Sequence, residues 1–436
     1  MMVLQRIQLG LIHSAVAMTL VPINSTLNRV MIKELAISAT LVALLASLPY
    51  LFSPIQVAIG SFSDRHPVGG YRRTPYILLG LLLCVTGVLI SPLAAFNIAA
   101  NFWLGILLGA LAFGAWGMGY NLAAVSYLSL ASEISGENGR GRTVAVMWFM
   151  MISSIILTAI TLSQLVDPYT PEALVRAFWV IGLLALFLGL IGLVRLEKRV
   201  ALGAQAEASD SQSWLVLARG IAVNRQATLF FWYLIVLLAA LLGQDILLEP
   251  FAAEAFEMSV RQTTRITAIW GVCVLAALAV AGFLETRIGK RKVANFGGWA
   301  ALVGFFLIAF SGLWISGPVF YLGVVLLGFG TGLSTVANLG LMLDMTTAGS
   351  VGLFIGAWGM ANAISRLLGS LIGGGIRDLL TQALQSPVLA YVIVFIIMGL
   401  FLLISIFMLR RIDVSVFRQQ SQELSLVERA AAATDA

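Results

Sequence analysis

The sequence predicts an all-α polytopic membrane protein whose twelve transmembrane helices form two six-helix bundles. Three observations carry that expectation. Of 436 residues, 60% are apolar and 11% charged, with a mean hydropathy of +0.98. The apolar residues fall into runs of about 20, the length a helix needs to cross about 30 Å of hydrocarbon. The basic residues gather on alternate connections, and one loop pattern occurs once in each half. The runs are continuously apolar rather than alternating, which excludes a transmembrane β-barrel.

Twelve runs can be laid out, at about 7–30, 39–62, 75–96, 102–131, 143–166, 174–195, 227–248, 264–285, 293–314, 318–343, 350–373 and 387–409. The first run is long and ends in Asn28-Arg29, not in a small-residue cleavage site, which argues against a cleaved leader. Of the 26 Lys and Arg, 19 fall on the side of the termini and six, including Arg29, Lys33 and Arg377, on the other. That bias predicts both termini in the cytoplasm. It also accounts for the formal charge of +6 as loop charge facing lipid headgroups and water, so no nucleic-acid partner is expected. The longest polar stretch between runs divides the chain into a bundle at 1–195, a linker at 196–226, a second bundle at 227–410 and a tail at 411–436.

After the second run the chain reads Gly60-Ser-Phe-Ser-Asp64-Arg65, then Gly70-Tyr71-Arg72-Arg73. After the eighth it reads Gly282-Phe-Leu-Glu-Thr286-Arg287, then Gly289-Lys290-Arg291. Gly60 and Gly282 are expected to let helices approach closely. Asp64 can accept from a neighbouring helix N-terminus, and the arginines can pair with acids or lipid phosphate. Like-oriented repeats of six helices are one recurring transporter design. With its weaker second copy, the pattern resembles the gating-loop motif of the major facilitator superfamily, which implies that superfamily's fold. The second copy departs from the first in carrying Thr286 where Asp64 stands.

The local exception in this apolar chain is Gln244-Asp245-Ile-Leu-Leu-Glu249-Pro250-Phe-Ala-Ala-Glu254-Ala-Phe256-Glu257, four carboxylates within thirteen residues. A carboxylate at membrane depth costs about 2.5–3.5 kcal/mol on insertion scales and reads as functional. Asp245 and Glu249, four apart, are expected on one helix face, where like charges require a cation, a proton or hydrogen-bond donors. Proton coupling, a cationic substrate and ligation of a metal carried by the substrate all fit. Arg29, at the outer end of the first run, either snorkels or pairs with a carboxylate of this cluster, Glu249 being the candidate. Arg366, midway along its run, must face protein or a water-filled cavity. Asp344 on the preceding run, or a substrate group, is its candidate partner.

Only two histidines exist, His13 and His66, and the cysteines Cys84 and Cys273 lie in separate apolar runs. No disulfide framework or cysteine metal site is implied. His13 reads as an interhelical hydrogen bonder, with axial ligation of a tetrapyrrole metal as the sharper use. No nucleophile–base pair, metal cluster or nucleotide loop stands out, so no enzymatic centre is expected.

The stretch Gln244–Phe256 is similar to the hallmark of the bacteriochlorophyll-delivery, PucC/LhaA-like branch of that superfamily. Thr26-Leu-Asn28-Arg29-Val-Met-Ile32 and Ser63-Asp64 through Arg72-Arg73-Thr-Pro-Tyr-Ile77 resemble the same group. The resemblance implies handling of chlorophyll or bacteriochlorophyll, by delivery or chaperoning, during assembly of light-harvesting or photosystem complexes. It implies pigment, antenna or photosystem apoproteins and the bilayer as partners. The loop DRHPVGGYRRTPY is more similar to cyanobacterial members, which implies chlorophyll and a thylakoid; otherwise a bacterial inner or intracytoplasmic membrane is implied. Asn28, Arg29, Gln244, Asp245, Glu249, Glu254, Asp344 and Arg366 are the candidate binding or coupling residues, with Asp245, Glu249 and His13 as candidate ligands to pigment magnesium. Two other uses remain open: proton-coupled transport of a small solute, and a scaffold for antenna apoproteins that moves no pigment.

Overall fold

The computed structural model describes residues 3–53, 55–199, 224–345 and 351–417. Most of the expected linker and tail, and the side chains of Gly60 and Asp64, lie outside the described residues. In chain order the membrane segments are α1 (Val3–Glu34), α2 (the broken run Ala39–Ala46, Leu48–Leu51, Ile55–Arg65), α3 (Thr74–Ala100), α4 (Phe102–Gly136), α5 (Gly141–Leu165), α6 (Pro171–Leu193), α7 (Arg225–Ile246), α8 (Val260–Ile288), α9 (Lys290–Trp314), α10 (Gly317–Asp344), α11 (Val351–Leu384) and α12 (Pro387–Leu409). Among the described residues ten of these are helices long and apolar enough to cross a membrane. The exceptions are α2, broken into three helical pieces, and α11, whose middle and end carry Arg366, Arg377 and Asp378. The protein is an integral membrane protein.

Local chemistry explains where many of these helices start. Asn101, Thr170, Asn224, Ser259 and Ser386 each accept a backbone N–H from the first turn of the helix that follows. Such caps satisfy donors the helix itself leaves free. Ser259 and Gln262 close a full capping box at the start of α8. Between α4 and α5 the helix turns at Gly136, whose φ of 62° lies in the left-handed region.

The repeat seen in the loops extends to the packing. α3 lies against α4, and α9 against α10, each along a seam of small residues. A Cβ at Gly119 would stand 2.5 Å from the Gly80 carbonyl oxygen, and one at Gly330 would stand 2.6 Å from that of Gly297. In each half, then, the third and fourth helices meet backbone to backbone. Gly282 does otherwise: a Cβ there would meet nothing within 4 Å. The close approach expected at that position is absent, because the seam runs through the faces of α9 and α10 instead.

Two seams join the N-terminal helices to the C-terminal ones. α2 meets α11, where a Cβ at Gly374 would stand 2.8 Å from the Ala39 carbonyl oxygen, and α8 meets α5 near Gly271 and Ile156. Substituting Gly330 by Val should destabilise the fold by about 1–3 kcal/mol through overpacking, whereas Gly282→Val should be near neutral. Thermal unfolding of the purified protein in detergent reads the difference; equal melting temperatures would contradict the seam.

Candidate functional site

Proline at position 22 has no N–H to give the preceding turn, and α1 widens there into π-helical turns over Pro22–Leu27 and Val30–Glu34. Such turns collect at functional sites. They carry or flank Ser25, Thr26, Asn28 and Arg29, all buried. Asn28 donates its amide to the Asn24 carbonyl at 3.0 Å, and its buried Oδ1 has no partner among the described residues.

Arg29 is 3% exposed, so it does not snorkel. Its guanidinium pairs with Glu34, one turn on, and donates to the Met258 carbonyl at 3.1 Å. The expected pair with Glu249 does not form, because an acid nearer in the sequence holds the charge. Glu249, also 3% exposed, accepts from two hydroxyls. Ser25 comes from α1, and Thr267 from α8 at 2.6 Å. Its second carboxylate oxygen is buried and unpartnered among the described residues.

Asp245 and Glu249 do not share a face. The helix tightens into a 3-10 turn over Gln244–Ile246 and restarts as a short helix, Leu248–Phe256. Pro250 lies in the first turn of that short helix, where its missing N–H costs nothing. The short helix is anchored by Phe251, which is fully buried against Phe320, Tyr391 and Phe395 with ring centroids 5.1–6.0 Å apart. The change of helix sends the two acids to different partners. Asp245 pairs with Arg366 of α11 at 2.8 Å and accepts from the Gln244 amide at 2.9 Å. Glu254 pairs with Lys33 at 2.7 Å.

Arg366 therefore has Asp245, not Asp344, as its partner. Its guanidinium carbon lies 5.4 Å from the ring centre of Tyr50 on α2, a cation–π contact from the other half. Asp344 instead pairs with Lys290 at the start of α9, at 2.7 Å. In the first half Arg73, just before α3, pairs with Glu133 of α4 at 2.9 Å and donates to Ser63 at 2.6 Å. The two ion pairs occupy matching places in the repeat. Glu133 is the member that sequence reasoning missed; its signal is its place opposite Asp344 in the repeat.

The rest of the loop motif divides. The carboxylate of Glu197 caps the N-terminus of α3, accepting from the backbone N–H of Arg72, Arg73 and Thr74 at 2.7–3.2 Å. Arg65 lines a cavity of about 570 Å³ with Phe62, His66 and Tyr76. Arg287 lies 4.3 Å over the Phe283 ring.

His13 is buried with its ring 5.0 Å from that of Tyr127. It precedes Ser25, the contact of Glu249, by roughly 18 Å of helix. His13, Asp245 and Glu249 therefore do not converge on one metal, and among the described residues no group of three metal-ligating side chains is present.

Sequence reasoning also missed Asp378. Its carboxylate accepts from the Ala39 and Thr40 backbone N–H at 3.1 and 2.8 Å and from the Thr40 hydroxyl at 2.7 Å. Thr26 and Thr264 meet at 3.0 Å, and Arg261 pairs with Asp167. With Ser25–Glu249, Arg29–Met258 and Lys33–Glu254, these contacts join the N-terminal helices to the C-terminal ones on the face opposite the termini. That face is closed by polar contacts.

A family model described as PUCC protein matches residues 26–417. The chain belongs to the PucC family. It is 32% identical to Protein PucC of Rhodovulum sulfidophilum over 85% of this chain and 84% of that one. It is 31% identical to Protein PucC of Cereibacter sphaeroides over 92% and 90%. A Rhodobacter capsulatus relative, 27% identical over 86% and 88%, is called Bacteriochlorophyll synthase 44.5 kDa chain. Among solved structures, a point mutant of the nucleoside transporter NupG superposes with a TM-score of 0.73 at 14% identity, covering 94% of this chain and 99% of that one. A bacterial homologue of the lysosomal transporter Spinster, inward-facing and unoccupied, gives 0.73 at 12% identity, covering 95% and 97%. This PucC-family chain therefore has the major facilitator fold.

The buried pairing on α1 can be tested directly. Arg29→Glu should destabilise the protein by more than about 1 kcal/mol, since it leaves Glu34 facing a second carboxylate. Adding Glu34→Arg should recover part of that loss, and adding Glu249→Arg should not. Melting temperatures of the two double variants separate the pairings.

Proposed function

We propose that the protein handles a chlorophyll-type pigment, by delivery or chaperoning, while light-harvesting or photosystem complexes are assembled in a photosynthetic membrane. Membership of the PucC family carries this reading, together with a relative whose name ties it to bacteriochlorophyll. The buried polar groups of the candidate site are ion pairs, carboxylates held by hydroxyls, and amides, groups suited to holding a cargo. The clients on this reading are antenna or photosystem apoproteins, and the pigment would reach them from within the bilayer or from the interior between the bundles.

A second reading, a proton-coupled transporter of a small solute, is favoured by the transporters among its structural neighbours. It assigns the proton to Asp245 or Glu249. An absorption spectrum separates the two. Purified in mild detergent from a pigment-producing host, the protein should carry chlorophyll or bacteriochlorophyll absorption. Glu249→Gln, which disturbs the contact between halves, should change the amount retained. A colourless wild type without antenna partners, combined with solute uptake that follows a pH gradient, would favour the transporter instead.

A further inference from the structure

Arg366 and Asp245 form an ion pair joining the middle of α11 to the end of α7. Helices surround them, yet their side chains keep 31% and 25% exposure, so they border internal space rather than a sealed core. Asn362 and Gly359 precede Arg366 by about one and two turns and share its face of α11. A Cβ at Gly359 would meet nothing within 4 Å. At Gly359, then, that face of α11 is not packed against a neighbouring element. Tyr50 lies beside the guanidinium from the other half, and the electrostatic partners of Arg366 are Asp245, Tyr50 and Tyr120.

Charge decides what this place can accept. An arginine stays protonated in a protein, and an unpaired charge in the membrane interior is expensive. Here Asp245 already neutralises it. A ligand that brought its own carboxylate would leave the trio with one net negative charge in a poorly solvated space. A ligand offering a neutral carbonyl could accept from the guanidinium donors that Asp245 does not use and leave the pair neutral. The ring of Tyr50 suits a flat aromatic body next to that carbonyl.

We infer that Arg366, Asp245 and Tyr50 form a binding site selecting a flat aromatic cargo with a neutral hydrogen-bond-accepting edge over its free acid, with Asp245 as the residue that excludes the acid. This rests on the pigment reading above and deepens it: the cargo is the esterified chlorin, not the carboxylate form.

The test uses the full-length protein in detergent and two probes with one ring and different charge, chlorophyllide a and its methyl ester, with binding followed by fluorescence. The ratio of the two dissociation constants, compared between variants, cancels their partition into detergent. The wild type should favour the ester by about tenfold or more. Asp245→Asn strips the counter-charge from Arg366 and should move the ratio at least about tenfold toward the acid. The double variant Asp245→Asn with Arg366→Gln buries no charge, guards against a misfolded single variant, and should lose the effect of Asp245→Asn. A ratio unchanged by Asp245→Asn, or a wild type that prefers the acid, overturns this inference and leaves the pigment reading standing. A wild type that binds neither probe overturns both.

Discussion

A charge inside a membrane must be answered by another group inside the same protein, because no water is at hand to solvate it. In this chain the buried charges of the candidate site, the Arg29–Glu34 pair within α1 excepted, are answered across helix boundaries, and several across the boundary between its two halves. Glu249 is held by a hydroxyl from α1 and one from α8. Lys33 reaches Glu254, and Asp378 receives the first N–H groups of α2. These contacts do more than offset desolvation: they set how the halves meet. Hydrophobic matching could not do this, since lipid tails are as apolar as the helices they touch.

Such a constraint explains which parts of the structure were legible in the sequence. Length and continuous apolarity belong to each helix alone, so most of the membrane segments could be read from runs of residues. The partner of a buried charge belongs to two helices at once and depends on their rotation. Arg29 and Glu249 looked like partners because both lie at the same depth. The π-helical turns after Pro22 rotate Arg29 toward Glu34, and Ser25 takes the place beside Glu249. Asp245 and Glu249 looked like neighbours because they are four apart, which holds only while the helix is regular. The 3-10 turn at Gln244–Ile246 breaks that spacing.

The repeat was legible as a loop pattern, yet its physical content lies elsewhere. Of its glycines, Gly282 faces open space, while Gly119 and Gly330, deep in α4 and α10, occupy matching positions at backbone contacts. Likewise the loss of an acid at Thr286 does not leave the second half without its ion pair. Lys290 and Asp344 stand where Arg73 and Glu133 stand in the first half. The two halves preserve a geometry of third and fourth helices, and the letters that build it differ. Asp344 thus leaves the group of residues facing a central ligand and joins the bracing at the helix ends.

The acidic stretch is thereby divided along the chain between two sets of partners. Glu249 and Glu254, on the short helix, take part in the polar contacts that close the face opposite the termini. Asp245, one turn earlier on α7, pairs instead with Arg366 of α11, at the binding site inferred above. The aromatic anchor at Phe251 fixes the short helix against α10 and α12. On the proposed reading, a change to the hydroxyls around Glu249 should alter the closure of the molecule, and a change to the charge at Asp245 its choice of cargo.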